Sequence, residues 1–132
     1  MTKRTWIPLM ALLLLAACGE DEAAPIPEVS VAEAAAQLEA GAVAVDANSD
    51  ETRAERGVVP GARLLTSSSR YEASELPSDT STSLIFYCAS TRCSASDGAA
   101  ERAREHGYEN VSVMRAGIAG WVEAGNQTQP AS

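Results

Sequence analysis

The sequence is poor in lysine, histidine and cysteine, and these shortages exclude several kinds of site. Lys3 is the only lysine and His106 the only histidine among 132 residues, and the formal net charge is −8. A chain this acidic has no basic face for a phosphate backbone, so we expect no nucleic acid partner. One histidine and three cysteines without a Cys-x-x-Cys pair make no convincing zinc ligand set. Nothing in the sequence requires a metal or an organic cofactor.

The sequence also lacks an apolar run long enough for a permanent membrane-spanning helix. Two basic residues precede an apolar segment at residues 6–15, which is the pattern of a secretory signal. The segment ends in the letters LAAC at residues 15–18, which resemble the lipobox of bacterial lipoproteins. This resemblance implies that residues 1–17 are removed and that Cys18 is acylated. The alternative is an ordinary signal peptide, or a short anchor, with an incidental cysteine.

Residues 18–28 are acidic and contain two prolines, so they are predicted to be a tether between the lipid and a folded domain. The lipid on Cys18 predicts attachment to the cell envelope at its periplasmic face. Gly19 favours the outer membrane, by resemblance to enterobacterial lipoproteins. Loss of two basic side chains brings the net charge near −10. Cys88 and Cys93 then remain as the only thiols, in an oxidising compartment.

The rest of the chain alternates helices and strands. Ser30 and Glu33 form a capping box for a helix at residues 31–40. The patterns predict strands at 42–47, 63–65, 84–87 and 111–114, and helical segments at 53–56, 67–75, 94–107 and up to Gly125. We therefore expect one α/β domain at residues 29–126, with helices flanking a mostly parallel sheet, and a frayed tail at 127–132.

The stretch LIFYCASTRCSASDG, at residues 84–98, is the most informative. Its first four residues are a continuous apolar run, typical of a strand buried on both faces of a parallel sheet, and Cys88 follows directly. Ser94 is predicted to cap the next helix, with Asp97 reaching back to complete the cap. Because a helix N-terminus favours the thiolate, we expect the pKa of Cys88 below the usual value of about 8.5. The alternative is a small, buried and inert cysteine.

Asp46 ends the predicted strand at 42–47, at the same sheet edge as Cys88. Ligands bind beyond the carboxyl ends of the strands in such sheets. Asp46 therefore either supports the chemistry or serves as a hydrogen-bond acceptor that ties neighbouring loops together, and we favour the structural role.

Two segments resemble the signatures of rhodanese domains. VDANSDETRAERGVVPGARLL, at residues 45–65, is similar to the first signature, in which an aspartate ends a strand before a Gly-x-x-Pro-Gly-Ala turn. LIFYCASTRCSASDGAAERAREHGYENVSVMRAGIAGWVEAG, at residues 84–125, is similar to the second. The resemblance implies a three-layer rhodanese-like fold. It also implies that Cys88 is a nucleophile that takes sulfur from a small sulfur-containing anion, such as thiosulfate, and passes it to a thiol acceptor.

The resemblance also gives roles to the loop after Cys88. Its backbone amides are expected to hold the anionic donor, and the loop residues are Ala89, Ser90, Thr91, Arg92, Cys93 and Ser94. Arg92 either contacts the donor or faces solvent. Cys93 is either a resolving thiol that forms a disulfide with Cys88 or a small buried residue. The six residues from Cys88 to Cys93 fit sulfurtransferases, since the related phosphatases have one more.

Three functions follow from these observations. The first is a lipid-anchored sulfurtransferase or persulfide carrier. The second is a thiol redox protein that cycles a Cys88–Cys93 disulfide, and the third is a non-catalytic rhodanese-like module that binds a partner. The sequence does not indicate which protein such a partner is.

Overall fold

The computed structural model describes residues 24–131, so the predicted signal peptide and Cys18 lie outside the described residues. No helix within residues 24–131 is long and apolar enough to cross a membrane. The elements in chain order are α1 (Val31–Glu39), β1 (Val43–Asp46), α2 (Asp50–Arg56), β2 (Arg63–Leu64), a 3₁₀ turn (Ala73–Glu75), β3 (Leu84–Tyr87), α3 (Ala95–Glu105), β4 (Val111–Val113) and α4 (Gly117–Glu123).

The four strands form one parallel sheet in the order β2-β1-β3-β4. All four residues of β3 are buried, and alternate side chains point to opposite faces of the sheet, as the strand geometry requires. Leu84 and Phe86 pack against the alanines of α3, whereas Ile85 and Tyr87 pack against α1 and α4. The predicted three-layer α/β fold with a parallel central sheet is therefore confirmed.

The two longer helices begin differently. In α1, the Ser30 hydroxyl accepts from the Glu33 amide and the Glu33 carboxylate accepts from the Ser30 amide, both at 3.1 Å, so the predicted capping box is confirmed. In α3, Ser94 is the N-cap residue, as predicted, but its side chain makes no capping bond, so the predicted side-chain cap is wrong. Asp97 instead accepts two hydrogen bonds from the Arg115 guanidinium, at 2.6 and 3.1 Å. This bidentate ion pair is stronger than a bond to a neutral amide.

The helix predicted at residues 67–75 is reduced to the 3₁₀ turn. The Glu75 carboxylate accepts from the Thr66 amide at 2.7 Å and from the Glu72 amide at 2.8 Å. Because a side chain satisfies these amides, the segment folds as a loop around Glu75. Tyr71 is buried within it and donates to the Ala99 carbonyl of α3 at 2.6 Å.

Both ends of the described chain are held against the domain. The Val29 amide donates to the Val113 carbonyl and the Val113 amide donates to the Pro27 carbonyl, each at 2.9 Å, so this segment adds a parallel bridge beside β4. Arg104 donates to the carbonyls of Ala24 and Pro25. Residues 24–28, expected to belong to a free tether, therefore pack on the folded part.

The tail also differs from the expectation of fraying. The backbone of Gln129 exchanges two hydrogen bonds with Val58, at 2.9 and 3.0 Å. The indole nitrogen of Trp121 donates to the Gln127 carbonyl at 2.7 Å. The chain after α4 therefore crosses back and covers the turn that follows α2.

Candidate active site

Cys88 lies directly after β3, at the point where the order of strand connections reverses. The chain runs from β1 to its neighbour β2 on one side, and from β3 to β4 on the other. In parallel α/β sheets such a switch point opens a crevice beyond the carboxyl ends of the strands, where ligands bind. Cys88 is only 2% exposed, and residues 89–94 form the loop between it and α3.

The start of this loop is fixed by α4. The Ile118 amide donates to the Cys88 carbonyl at 2.9 Å, and the Ala119 amide donates to the Ala89 carbonyl at 3.0 Å. Gly117 makes this approach possible, because a Cβ atom there would lie 2.6 Å from the Cys88 carbonyl oxygen. Its φ of +66° is also a conformation that favours glycine. The position of Cys88 is therefore set by both β3 and α4.

Cys88 and Cys93 are joined by a disulfide. Their Cα atoms are 6.2 Å apart, within the usual range for a disulfide of about 4.4–6.8 Å. Cys93 is partly exposed and packs at the edge of the core, whereas Cys88 is buried. The sulfur of Cys93 therefore reaches that of Cys88, and its role as a resolving thiol stays a prediction.

In this disulfide form, two loop amides are already used. The Arg92 amide donates to the Ser90 hydroxyl at 3.4 Å, and the Cys93 amide donates to the Ser90 carbonyl at 3.0 Å. Thr91 and the Arg92 side chain are exposed. Within residues 24–131, the Arg92 guanidinium makes no hydrogen bond or ion pair. Arg92 therefore lies exposed at the rim of the loop.

Ser96 contacts Cys88 from the first turn of α3. The Ser96 oxygen is 3.5 Å from the Cys88 sulfur, and Ser96 is 1% exposed. A disulfide sulfur carries no proton, so the hydroxyl is the donor. A donor hydroxyl and the N-terminus of an 11-residue helix both stabilise negative charge on a sulfur at this position.

Asp46 ends the neighbouring strand β1, but its carboxylate is fully engaged. One oxygen accepts from the Asn48 amide at 2.8 Å and from the Arg53 Nε at 3.1 Å. The other accepts from the Tyr87 hydroxyl at 2.6 Å. Asp46 is completely buried. This is the arrangement of a structural acceptor rather than of a group that is free to meet a substrate.

Arg53 and Tyr87 extend this network to two further loops. The Arg53 Nη2 donates to the carbonyls of Asp46 and Leu65, at 2.9 and 2.8 Å. The Tyr87 hydroxyl accepts from the Val59 amide at 3.0 Å. Burial, and next the Asp46 carboxylate, raise the pKa of Tyr87 far above its usual value, so its hydroxyl stays protonated. Ionic and neutral hydrogen bonds of this network therefore tie the carboxyl end of β1 to the segments that contain Val59 and Leu65.

Comparison with known protein families matches residues 30–124 to the Rhodanese-like domain. The chain belongs to the rhodanese-like domain family. Comparison with curated protein sequences gives no match.

Solved structures show the same rhodanese-like fold. A protein from Bacillus halodurans matches with a TM-score of 0.67 and 18% identity, over 79% of this chain and 77% of that one. A thiosulfate sulfurtransferase from Pseudomonas aeruginosa matches with a TM-score of 0.66 and 26% identity, over 81% of this chain but only 21% of that one. A human single-domain sulfurtransferase matches with a TM-score of 0.58 and 25% identity, over 76% of this chain and 96% of that one.

Two residues at this edge of the sheet were not found from the sequence, Arg53 in the Asp46 network and Ser96 beside Cys88. Arg53 looks like an ordinary basic residue of a polar helix, and only its spacing of seven residues from Asp46 could have suggested the contact. Ser96 could have been found from its place in the first turn of the helix that follows the loop. Among the described residues 24–131, no cluster of three His, Cys, Asp or Glu side chains could hold a metal ion.

Proposed function

We propose that this rhodanese-like protein is a sulfurtransferase or persulfide carrier in which Cys88 accepts sulfane sulfur from a small anionic donor such as thiosulfate. The observation that carries the proposal is the place of Cys88: a buried sulfur after β3, beside Ser96 and the N-terminus of α3. The likeness to a thiosulfate sulfurtransferase and to a human single-domain sulfurtransferase supports it.

The proposed reaction starts from the reduced loop. The Cys88 thiolate attacks the outer sulfur of thiosulfate, the sulfur–sulfur bond of the donor breaks, and sulfite leaves with the bonding electron pair. The Cys88 persulfide that results gives its outer sulfur to a thiol acceptor. The Ser96 hydroxyl and the first turn of α3 stabilise the thiolate and the persulfide anion. The Arg92 side chain, which is exposed on the loop, attracts the donor anion.

The same proposal places the protein in the cell envelope, anchored by lipid on Cys18 at the periplasmic face, with the outer membrane favoured by Gly19. The support is the LAAC sequence at residues 15–18 behind a basic and apolar leader. Processing tests it: inhibition of the lipoprotein signal peptidase should leave an unprocessed precursor in membranes. Normal maturation under that inhibitor would contradict the anchor.

Sulfur uptake tests the role of Cys88. The full chain carrying Cys18→Ser, purified in a mild detergent, has Cys88 and Cys93 as its only cysteines. After reduction and removal of the reductant, it is treated with thiosulfate or with a low-molecular-weight persulfide, and its intact mass is recorded. We expect Cys93→Ser in this background to gain one sulfur atom, and Cys88→Ser to gain none. Uptake in Cys88→Ser, or no uptake in any variant from either donor, would contradict the proposal.

A second candidate function is favoured by the Cys88–Cys93 disulfide. A thiol redox protein would cycle this disulfide without carrying sulfur. It would lose two hydrogens on mild oxidation, in a reaction that needs both cysteines, and would never gain sulfur in the experiment above. Uptake of sulfur by Cys93→Ser therefore separates the two functions.

A further inference from the structure

The loop after Cys88 forms a tight turn that brings Cys93 back to Cys88. The Cys93 amide donates to the Ser90 carbonyl at 3.0 Å, and the Ser90 hydroxyl accepts from the Arg92 amide. At the other end, α4 holds the carbonyls of Cys88 and Ala89. Both ends of the loop are thus fixed by hydrogen bonds, and they bring the sulfur of Cys93 into bonding contact with that of Cys88.

We propose that Cys93 is the built-in resolving thiol for the persulfide on Cys88, so that the domain reduces sulfane sulfur to hydrosulfide. This inference rests on the proposed function, because it needs a persulfide on Cys88. It goes beyond that function, since a carrier would hold the sulfur until an external thiol arrives. The product that leaves the domain is hydrosulfide.

The first half of the cycle needs no reactant other than the two cysteines and the sulfur on Cys88. The Cys93 thiolate attacks the inner sulfur of the Cys88 persulfide, and a bond forms between the two cysteine sulfurs. The bond to the outer sulfur breaks, and that sulfur leaves as hydrosulfide with the electron pair. The sulfane sulfur is thereby reduced, and the two cysteines are oxidised to the disulfide that the structure contains.

The second half of the cycle needs an external dithiol reductant. The exposure of the two cysteine residues determines which of them it attacks. Cys88 is 2% exposed and lies behind the loop, whereas Cys93 is partly exposed. A thiolate of the reductant therefore reaches the Cys93 sulfur, and Cys88 leaves as the thiolate beside Ser96. The second thiol of the reductant then releases Cys93, and its own two sulfurs become a disulfide. Each hydrosulfide released thus consumes one dithiol.

This direction of attack returns the domain to its working state. The cysteine that leaves first is the one at the N-terminus of α3, where a thiolate is stabilised. Cys88 is therefore ready for the next donor as soon as the mixed disulfide forms on Cys93. A loop in which the buried cysteine had to be attacked would need to open first.

A single turnover tests the inference. The full chain with Cys18→Ser is reduced, freed of reductant and treated with thiosulfate or glutathione persulfide in the absence of oxygen. Hydrosulfide release and intact mass are followed together, beside a sample without donor. Cys93→Ser and Cys93→Ala are the matched variants, and their circular dichroism establishes that they fold.

We expect the chain with both cysteines to release about one hydrosulfide per molecule and to end two hydrogens lighter than its reduced form. Both Cys93 variants should keep the added sulfur. Their release should fall at least about a hundredfold, since well-oriented intramolecular groups reach effective molarities of roughly 10⁵ M or more. A dithiol added afterwards should allow another turnover.

Two failures are distinguishable. If the chain with both cysteines gains sulfur but releases hydrosulfide no faster than the Cys93 variants, Cys93 does not resolve the persulfide and the carrier proposal stands. If no variant takes sulfur from either donor, the carrier proposal fails and the resolving role of Cys93 fails with it.

Discussion

Two neighbouring strands of this domain end in residues of very different availability. Asp46 ends β1 and Cys88 follows β3, and Asp46 pairs with the residue directly before Cys88. Both are buried, at 0% and 2% exposure. The Asp46 carboxylate is held by an arginine, a tyrosine hydroxyl and a backbone amide. Cys88 has one long contact to Ser96 and one covalent partner that a reductant can remove.

The difference shows how one edge of a sheet can hold both a structural and a chemical centre. A buried carboxylate whose two oxygens both accept hydrogen bonds in low-dielectric surroundings is costly to disturb. A buried sulfur held by a disulfide is released by reduction and becomes a nucleophile when it is released. The Asp46 network holds the loops in place, and the Cys88 loop is free to change its bonding.

The largest expected effect comes from disrupting the hydrogen-bond network of Asp46. Arg53→Ala leaves the Asp46 carboxylate buried without its cation, which should lower the free energy of unfolding by about 3–5 kcal/mol. Urea unfolding measures this change. Arg53→Lys, which keeps a charge but not the three-way contact, should lose less.

The matched control for Arg53→Ala is Arg56→Ala in the last turn of the same helix. Arg56 is exposed, and such surface changes usually stay within about 0.5 kcal/mol. Equal losses for Arg53→Ala and Arg56→Ala would mean that the network adds no stability, and the comparison with Cys88 would fail.

A smaller effect should follow from a substitution that displaces the Cys88 loop. Gly117→Ala places a Cβ atom 2.6 Å from the Cys88 carbonyl oxygen and 2.7 Å from the Ala89 carbonyl carbon. We expect a loss of about 1–3 kcal/mol, together with slower sulfur uptake, because the loop has to shift. Thermal unfolding and the uptake assay measure the two effects.

Gly125→Ala separates the backbone cost from the clash. Gly125 also has a positive φ, +86°, but no atom lies within 4 Å of a Cβ there. It should lose stability without slowing sulfur uptake. If Gly125→Ala slows uptake as much as Gly117→Ala does, the contact between α4 and the loop is not what positions Cys88.

Alkaline pH should weaken the folded state through the buried Tyr87 of the Asp46 network. Burial and the Asp46 carboxylate raise the pKa of Tyr87 above its unfolded value of about 10. The folded state thus favours the protonated phenol, so this contribution is complete below about pH 10 and is lost as the pH rises further. The free energy of unfolding should fall by about 1.4 kcal/mol per pH unit for each such tyrosine.

Urea unfolding at a series of alkaline pH values measures this loss. Burial also raises the pKa of Tyr71, so Tyr87→Phe and Tyr71→Phe should each remove part of the slope. Stability that stays flat above about pH 10 would contradict the raised pKa of both residues.

The smallest expected effect concerns the hydrogen bond between Ser96 and the Cys88 sulfur. Ser96→Ala removes the hydroxyl that lies 3.5 Å from the sulfur. A hydrogen bond worth about 0.5–1.5 kcal/mol corresponds to roughly twofold to tenfold slower alkylation of reduced Cys88 by iodoacetamide at neutral pH. Cys93→Ser provides the background with one reactive loop thiol, and Ser94→Ala, which removes no side-chain capping bond, should change the rate less. Equal rates in Ser96→Ala and its parent would show that the hydroxyl does not act on Cys88.

The sequence predicted the parts of the fold that depend on local patterns. The apolar run before Cys88, the alanines of α3 and the Ser30–Glu33 capping box each follow from spacing along the chain. The place of Cys88 beyond a parallel strand followed from the order of helices and strands. These features depend only on the spacing and order of residues along the chain, so one sequence was sufficient to predict them.

The parts that the sequence did not predict depend on contacts between distant segments. Asp97 was expected to cap its own helix, but Arg115, 18 residues further on, offers a bidentate ion pair. The tail was expected to fray, but one backbone bridge to Val58 holds Gln129, and a single bridge has no periodic signal. Arg53 is buried because Asp46 and the Leu65 carbonyl meet at one place. Such meetings are determined by packing rather than by local sequence.

The position of the transferred sulfur is the most direct test of the account. Arg92 lies between the two cysteines, so trypsin separates Cys88, in peptide 71–92, from Cys93, in peptide 93–102. The chain with Cys18→Ser and Cys93→Ser is loaded with thiosulfate or glutathione persulfide, capped by alkylation, digested and analysed by mass spectrometry. We expect one additional sulfur on peptide 71–92. A peptide 71–92 that carries no additional sulfur after treatment with either donor would contradict the central claim that Cys88 accepts the sulfur.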